Sequence, residues 1–251
     1  MSDTIQVTEV PAGRGGRWLL EAFALFRRRP LAWIGLCSGW LLITFGLIIV
    51  PFLGGVIANF LQPVFFASFA IATFRQLAGE PVTMGDLFAG FRRNARSLIV
   101  LGAIMLMAQT LIFIAMWAIG LPMAPANDQS FTMTDYVESL KGKEWILALG
   151  FLLTVIVKGA LWFAPPLIAF HQMSVTHAMR WSVYAALSNM GAMIVYGACL
   201  LGLFFLGAIP WLLGMLVVVP MMVISTYIGY RDVFESRSNT LGSDPNSSEL
   251  P

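Results

Sequence analysis

The stretch Arg27–Val50, RRRPLAWIGLCSGWLLITFGLIIV, decides the fold class: three arginines and a proline, then twenty residues from Leu31 to Val50 without a charge. A helix rises about 1.5 Å per residue, so a block of that length crosses the roughly 30 Å hydrocarbon layer of a bilayer. It therefore predicts a transmembrane helix that starts at a basic headgroup boundary.

The remainder of the 251 residues repeats this pattern. The chain is 58% hydrophobic and only 11% charged, whereas soluble domains carry about 25% charged residues. The expected fold is an all-α polytopic membrane bundle of six transmembrane helices, at about 31–50, 53–74, 97–120, 145–168, 190–209 and 211–230. One membrane domain covers 17–234, between a polar N-terminus (1–16) and a polar tail (235–251) that are both expected to be disordered. No cleavable signal is expected ahead of Leu31, because arginines and a short amphipathic stretch fill that region. Pro51 to Gly55 and the Ile209-Pro210 step predict tight hairpins, and Pro63 and Pro220 predict kinks within spans two and six. Cys37 and Cys199 fall in apolar blocks and read as small core residues.

Arginine-bearing segments precede spans one, three and five. In the first, Trp18, Leu19, Ala22, Leu25 and Phe26 recur at helical spacing; in the second, Leu87, Phe88 and Phe91 follow a Thr83-x-x-Asp86 capping box. In the third, Val175, Met179, Ser182 and Ala186 share a face. Each is expected to lie in the membrane interface as an amphipathic helix, apolar side in the acyl boundary and basic side in the headgroups. The segments also look repeated. Glu21-Ala-Phe-Ala-Leu-Phe-Arg-Arg28 matches Asp86-Leu-Phe-Ala-Gly-Phe-Arg-Arg93, Asn94-x4-Ile-Val-x-Gly-Ala103 matches Asn189-x4-Ile-Val-x-Gly-Ala198, and Pro51…Pro63…Arg75 echoes Pro210…Pro220…Arg231. This predicts three parallel helix-plus-hairpin modules, 17–77, 83–172 and 174–234.

Charge orients the bundle. All twelve arginines lie on the side that both termini share, whereas the 121–144 loop opposite holds Lys141 and Lys143 among acidic residues. The positive-inside rule then places both termini in the cytoplasm.

No residue set suggests catalysis, a cofactor or a metal. His171 and His177 are six apart and do not stack on one helical face. We therefore expect no enzymatic activity, no cofactor and no nucleic-acid partner. Arg17, Arg27, Arg28, Arg29, Arg92, Arg93, Arg96 and Arg180 are candidates for anionic lipid headgroups at the interface, since each basic residue near an anionic leaflet contributes about 1 kcal/mol; setting topology alone is the other explanation. Gly35-x-x-x-Gly39 offers a close-packing face for self-association or a protein partner.

Lys158 is the one charge deep in a span. Such a charge costs about 3 kcal/mol or more and is commonly functional or paired. Either it marks a midplane site with Gln109 and Asn59, or it snorkels or rests on those amides. Gln62 joins them as a polar group able to bond between helices. Two functions follow. The first is a non-enzymatic membrane protein acting through anionic-lipid or partner-protein contact at the arginine side. The alternative is a small transporter or permease-like protein with a midplane site near Lys158 among proline-broken helices.

Four runs carry a family resemblance: Leu25-Phe-Arg-Arg-Arg-Pro-Leu-Ala-Trp-Ile-Gly35, Leu87-Phe-Ala-Gly-Phe-Arg-Arg-Asn94, Trp162-Phe-Ala-Pro-Pro-Leu167 and Tyr230-Arg-Asp-Val-Phe234. From about residue 11 to 234 the chain resembles a family of proteobacterial six-span inner-membrane proteins without assigned activity, the Trp-Phe-Ala-Pro-Pro run being the most specific piece. More loosely, the segment before span five is similar to membrane domains attached to glycerophosphodiester phosphodiesterases. The resemblance implies a bacterial inner membrane and supplies no functional residue.

Overall fold

A computed structural model describes residues 6–51, 53–122, 132–209 and 211–235. The polar tail from 236, with Arg237, lies outside the described residues, as do Pro210, Asp128 and residues 1–5. The described residues form α1 (Arg14–Phe26), α2 (Pro30–Ile48), α3 (Leu53–Leu77), a 3-10 helix (Met84–Arg92), α4 (Ala95–Ala118), α5 (Met133–Ser139), α6 (Glu144–Ala160), α7 (Ala164–His171), α8 (Val175–Ser188), α9 (Met190–Ala208) and α10 (Met215–Phe234), with no strand among them. Six helical stretches are long and apolar enough to cross a membrane.

Burial separates these six. In α10, 67% of the apolar window is buried, and in α3 44%, against 17–22% for the other four. An apolar helix buried all round belongs at the centre of a bundle, whereas one left bare needs lipid around it. Thus α3 and α10 form the axis, and α2, α4, α6 and α9 carry the lipid-facing surface. Core packing concentrates on the arginine-rich side, where Thr73 to Gln76 of α3, Ile224 to Val233 of α10, Trp33 and α7 pack together.

The fourth span is two helices, not one. Pro165 and Pro166 lie in the first turn of α7, where a missing N–H costs nothing, but a proline ring would clash with the preceding turn if the helix ran straight through. The chain turns at Leu161–Phe163 and leaves backbone groups without helical partners. Ser182 of α8 satisfies both: the Phe163 N–H donates to its hydroxyl oxygen (3.0 Å), and the hydroxyl donates to the Ala160 carbonyl (2.8 Å). By contrast, Pro63 and Pro220 do not break their helices; α3 and α10 continue past them, with both rings buried.

The expectation for α1 is corrected. Its apolar face does not enter the acyl boundary: Trp18, Leu19, Ala22, Leu25 and Phe26 are all buried in the protein, where α1 packs on α9 and α10. Gly15 permits this, because a Cβ there would sit 2.0 Å from the Ala192 carbonyl oxygen. The outward face of α1 carries other apolar groups, Leu20 (69% exposed) and Phe23. The second segment is a 3-10 helix, and only Leu87 of its expected apolar trio is buried; Phe88 and Phe91 are exposed. Its capping box forms, with Asp86 accepting from the Thr83 N–H at 2.7 Å. The buried positions of α8 are Ala178, Ser182 and Ala185, so its inner face is rotated from the expected one.

Two further expectations change. Residues 8–10 are held rather than loose: the Thr8 N–H donates to the Val233 carbonyl (2.8 Å) and the Val10 N–H to Asn189 Oδ1 (2.8 Å). Cys37 is buried but Cys199 is exposed, and both are free thiols. Gly35 and Gly39, both partly exposed, lie beside Met84 of the 3-10 helix, where a Cβ on Gly39 would sit 3.0 Å from Met84 Cε.

Candidate functional site

The arginines divide into two sets. Arg14 is bound by Glu21 (2.9 Å) and by Asp232, which also accepts from Trp18 Nε1 (2.9 Å). Burial alone would lower the affinity of Arg14 for its proton, but the Asp232 hydrogen bond and charge, with Glu21, outweigh it and hold the pKa above its ordinary value. Arg75 joins Glu80 (2.6 Å) and the buried Asp86, and Arg231 approaches Glu21 at 3.9 Å. Arg14 and Arg231 thus tie α1 to α10, and Arg75 ties α3 to the 3-10 helix.

The other set is free. Arg17, Arg27, Arg28, Arg29, Arg92, Arg93, Arg96 and Arg180 are all exposed, and among the described residues none is held by a carboxylate. They are the eight candidates named from the sequence. Arg27–Arg29 precede α2, Arg92, Arg93 and Arg96 bracket the start of α4, and Arg180 lies in α8 ahead of α9. Six alternating crossings put the starts of α2, α4 and α9 on one side of the bundle. Large apolar groups stand exposed between these arginines: Leu20 and Phe23, then Phe88 and Phe91, then Tyr184 and Leu187. Arg27 lies over the Phe23 ring, 5.0 Å from its centroid. Sequence reasoning identified the arginines but assigned the apolar partners to the wrong face of α1.

On the other side lies a cleft of about 220 Å³, lined by Trp40, Thr44 and Ile48 of α2, Gly55, Ala58, Asn59 and Gln62 of α3, and Lys158 of α6. Lys158 Nζ donates to Gln62 Oε1 at 3.0 Å. The structure thus brings Lys158 and Asn59 to one site, but not Gln109, which pairs with Thr154 across α4 and α6 (3.3 Å). Asn59 donates to its own helix at the Gly55 carbonyl (2.8 Å). The contributions of Trp40 and Thr44 were missed from sequence. Gly55, Ala58, Asn59 and Gln62 do recur at i, i+3, i+4, i+7 spacing, and that stripe is the signal that marks the floor of the cleft.

No family model matches the chain, and no solved structure does. A "Probable inner membrane protein" of Burkholderia thailandensis is 28% identical over 270 aligned positions, which cover 98% of this chain and 98% of that protein. Six membrane-competent helices together with similarity along its whole length to an inner-membrane protein identify the chain as an integral membrane protein.

Proposed function

We propose that this protein acts without catalysis, through contact between its arginine-rich side and anionic lipid headgroups on the cytoplasmic leaflet. One observation carries the proposal: eight exposed arginines have no carboxylate partner among the described residues and alternate with exposed Leu20, Phe23, Phe88, Phe91 and Leu187. An arginine that serves only to fix topology needs no apolar companion. Paired with an apolar group that enters the acyl boundary, it is a headgroup ligand. Both termini face the cytoplasm in this reading, because positive charge is retained on that side. The three arginine-bearing entries are equivalent positions of a threefold, parallel repeat, each presenting its cations at the same depth.

The test is lipid selectivity in nanodiscs of mixed phosphatidylcholine and phosphatidylglycerol, read as anionic-lipid enrichment around the protein by native mass spectrometry. At about 1 kcal/mol per arginine, each cation removed lowers the preference roughly fivefold. The variant Arg27→Gln, Arg28→Gln, Arg92→Gln, Arg93→Gln is expected to lose the enrichment, and added salt to weaken it in the unmodified protein. Unchanged enrichment in the variant overturns the proposal.

A further inference from the structure

We infer that the cleft between α2, α3 and α6 is a binding site for a single oxyanion group, a carboxylate or phosphate, with the Lys158 ammonium as its charge partner. The inference is independent of the arginine proposal and concerns the opposite side of the membrane.

Lys158 supplies the first part of the argument. Its charge sits within an apolar span, and among the described residues its one hydrogen-bond partner is the neutral amide of Gln62. Among the described residues no acidic side chain lines the cleft and no carboxylate forms an ion pair with Lys158. An ammonium has three donors, and one bond to Gln62 uses one of them. Lys158 lies in the last turn of α6, where the negative end of the helix dipole favours a cation. The site therefore stabilises the charge without neutralising it.

The other donors point to the sign of the ligand. Four of the five threonines in membrane helices, Thr73, Thr110, Thr154 and Thr226, donate to the carbonyl four residues earlier. Thr44 is the exception, with no such bond recorded, and it lines the cleft. The Trp40 indole N–H and the Gln62 Nε2 likewise make no hydrogen bond to protein among the described residues, while the Gln62 carbonyl oxygen is taken by Lys158. Among the described lining residues the groups left over are the ammonium, the Gln62 amide N–H, the Thr44 hydroxyl and the Trp40 indole N–H, against a single amide oxygen, that of Asn59, so donors outnumber acceptors around the one cation. Such a donor set suits an acceptor-only group, which is an ionised oxyanion.

Geometry sets size and access. Gly55 and Ile48 flank the exposed α2–α3 turn, and Gln62 lies about 10 Å further along α3, two helical turns deeper. The cleft opens on the side opposite Arg27–Arg29. With about 30 Å³ per water molecule, 220 Å³ accommodates a small acid or one headgroup.

The experiment uses the full chain in a neutral detergent, with unfolding temperature and calorimetric binding measured at constant ionic strength against chloride. The probes are inorganic phosphate, butyrate, and dioctanoyl phosphatidylglycerol with dioctanoyl phosphatidylcholine as its zwitterionic counterpart. A saturable upward shift in unfolding temperature is expected for at least one anionic probe and not for phosphatidylcholine. A response to phosphate or butyrate identifies a soluble ligand; a response to phosphatidylglycerol alone identifies a lipid. Lys158→Met is expected to weaken that binding at least tenfold. Gln62→Glu provides the second variant: it places a carboxylate against Lys158, keeps the volume, and is expected to abolish anion binding while leaving the unliganded protein folded. The quadruple arginine variant is expected to retain binding at the cleft, which separates this inference from the first proposal. No anionic shift in the unmodified protein, or a shift unchanged in both Lys158→Met and Gln62→Glu, overturns it.

Discussion

Ser182→Ala tests how the broken fourth span is held. The hydroxyl is fully buried and serves two backbone groups at once, the Phe163 N–H at 3.0 Å and the Ala160 carbonyl at 2.8 Å. Neither group has a helical alternative, because Leu161 and Trp162 take the carbonyls of Val157 and Gly159 at the end of α6. Alanine leaves both groups orphaned in a site without access to water. Unsatisfied buried polar groups cost about 1–3 kcal/mol each, so removal of the hydroxyl is expected to cost about 2–4 kcal/mol after partial relaxation. An ordinary interhelical hydrogen bond within a membrane contributes only about 0.6 kcal/mol, since the unfolded chain finds other partners there. The two figures separate the cases. Reversible unfolding in mixed micelles, followed by far-ultraviolet circular dichroism, measures the difference. Thr110→Ala serves as the comparison, because that hydroxyl only returns to the Leu106 carbonyl of its own helix and its loss is expected to change stability by less than about 0.6 kcal/mol. If Ser182→Ala costs no more than Thr110→Ala, the break is satisfied by something other than Ser182, and the account of α7 fails.

Two further outcomes follow from named contacts. Asn189 is buried and fastens the N-terminal segment, accepting from Val10 N–H and donating to the carbonyls of Thr8 (3.2 Å) and Ala185 (3.0 Å); Asn189→Ala is expected to cost about 1–3 kcal/mol and to raise amide exchange at residues 8–10 by one to two orders of magnitude. Asp135 caps α5 by accepting from the Thr132 N–H and hydroxyl, both at 2.7 Å, and these bonds lower its pKa. Its contribution is therefore complete above the ordinary carboxylate pKa of about 3.9 and is lost as pH falls through the lower folded value. Protection of residues 132–139 from exchange is expected to stay level from neutral pH to about 5 and to drop below about 4, and Asp135→Asn is expected to remove that dependence.

Much of the fold is legible in the sequence because a bilayer imposes a length and polarity rule on each crossing. Uncharged blocks and prolines place the helices to within a few residues, and the split of span four follows once Pro165-Pro166 is read as a start rather than a kink. What periodicity cannot supply is the medium on the far side of an apolar face. Trp18, Leu19, Ala22 and Leu25 form a stripe that suits lipid or protein equally, and the choice for protein rests on Gly15 and on the Asp232 carboxylate more than two hundred residues away. The Gly35/Gly39 stripe illustrates the same limit, since Met84 and Leu87 of the same chain lie beside it. Long-range polar bonds are likewise hidden. Gln76 links the Trp33 indole (2.6 Å) to the Leu25 carbonyl (3.0 Å), and nothing in the local sequence of α3 announces either partner.

The pairing of charges connects the two candidate sites. Glu21, Glu80, Asp86 and Asp232 each face an arginine of the packed side. Each of these arginines holds elements together and is thereby removed from outside contact. Among the described residues the cations without a carboxylate are the eight surface arginines, Lys143 in the loop before α6, and Lys158, which alone lies within a span. A protein that needed these charges only for solubility or insertion has no reason to leave Lys158 within a span, where solvation is poorest and the cost highest. Nor is the charge repaid within the chain, because its bond is to the neutral amide of Gln62 while a charge within a span costs about 3 kcal/mol or more. The charge at Lys158 is therefore best explained by a partner that arrives from outside the chain, and Lys158→Met separates the two explanations: a variant at least as stable as the unmodified protein, yet deficient in anion binding, places the role of the lysine in the ligand rather than in the fold.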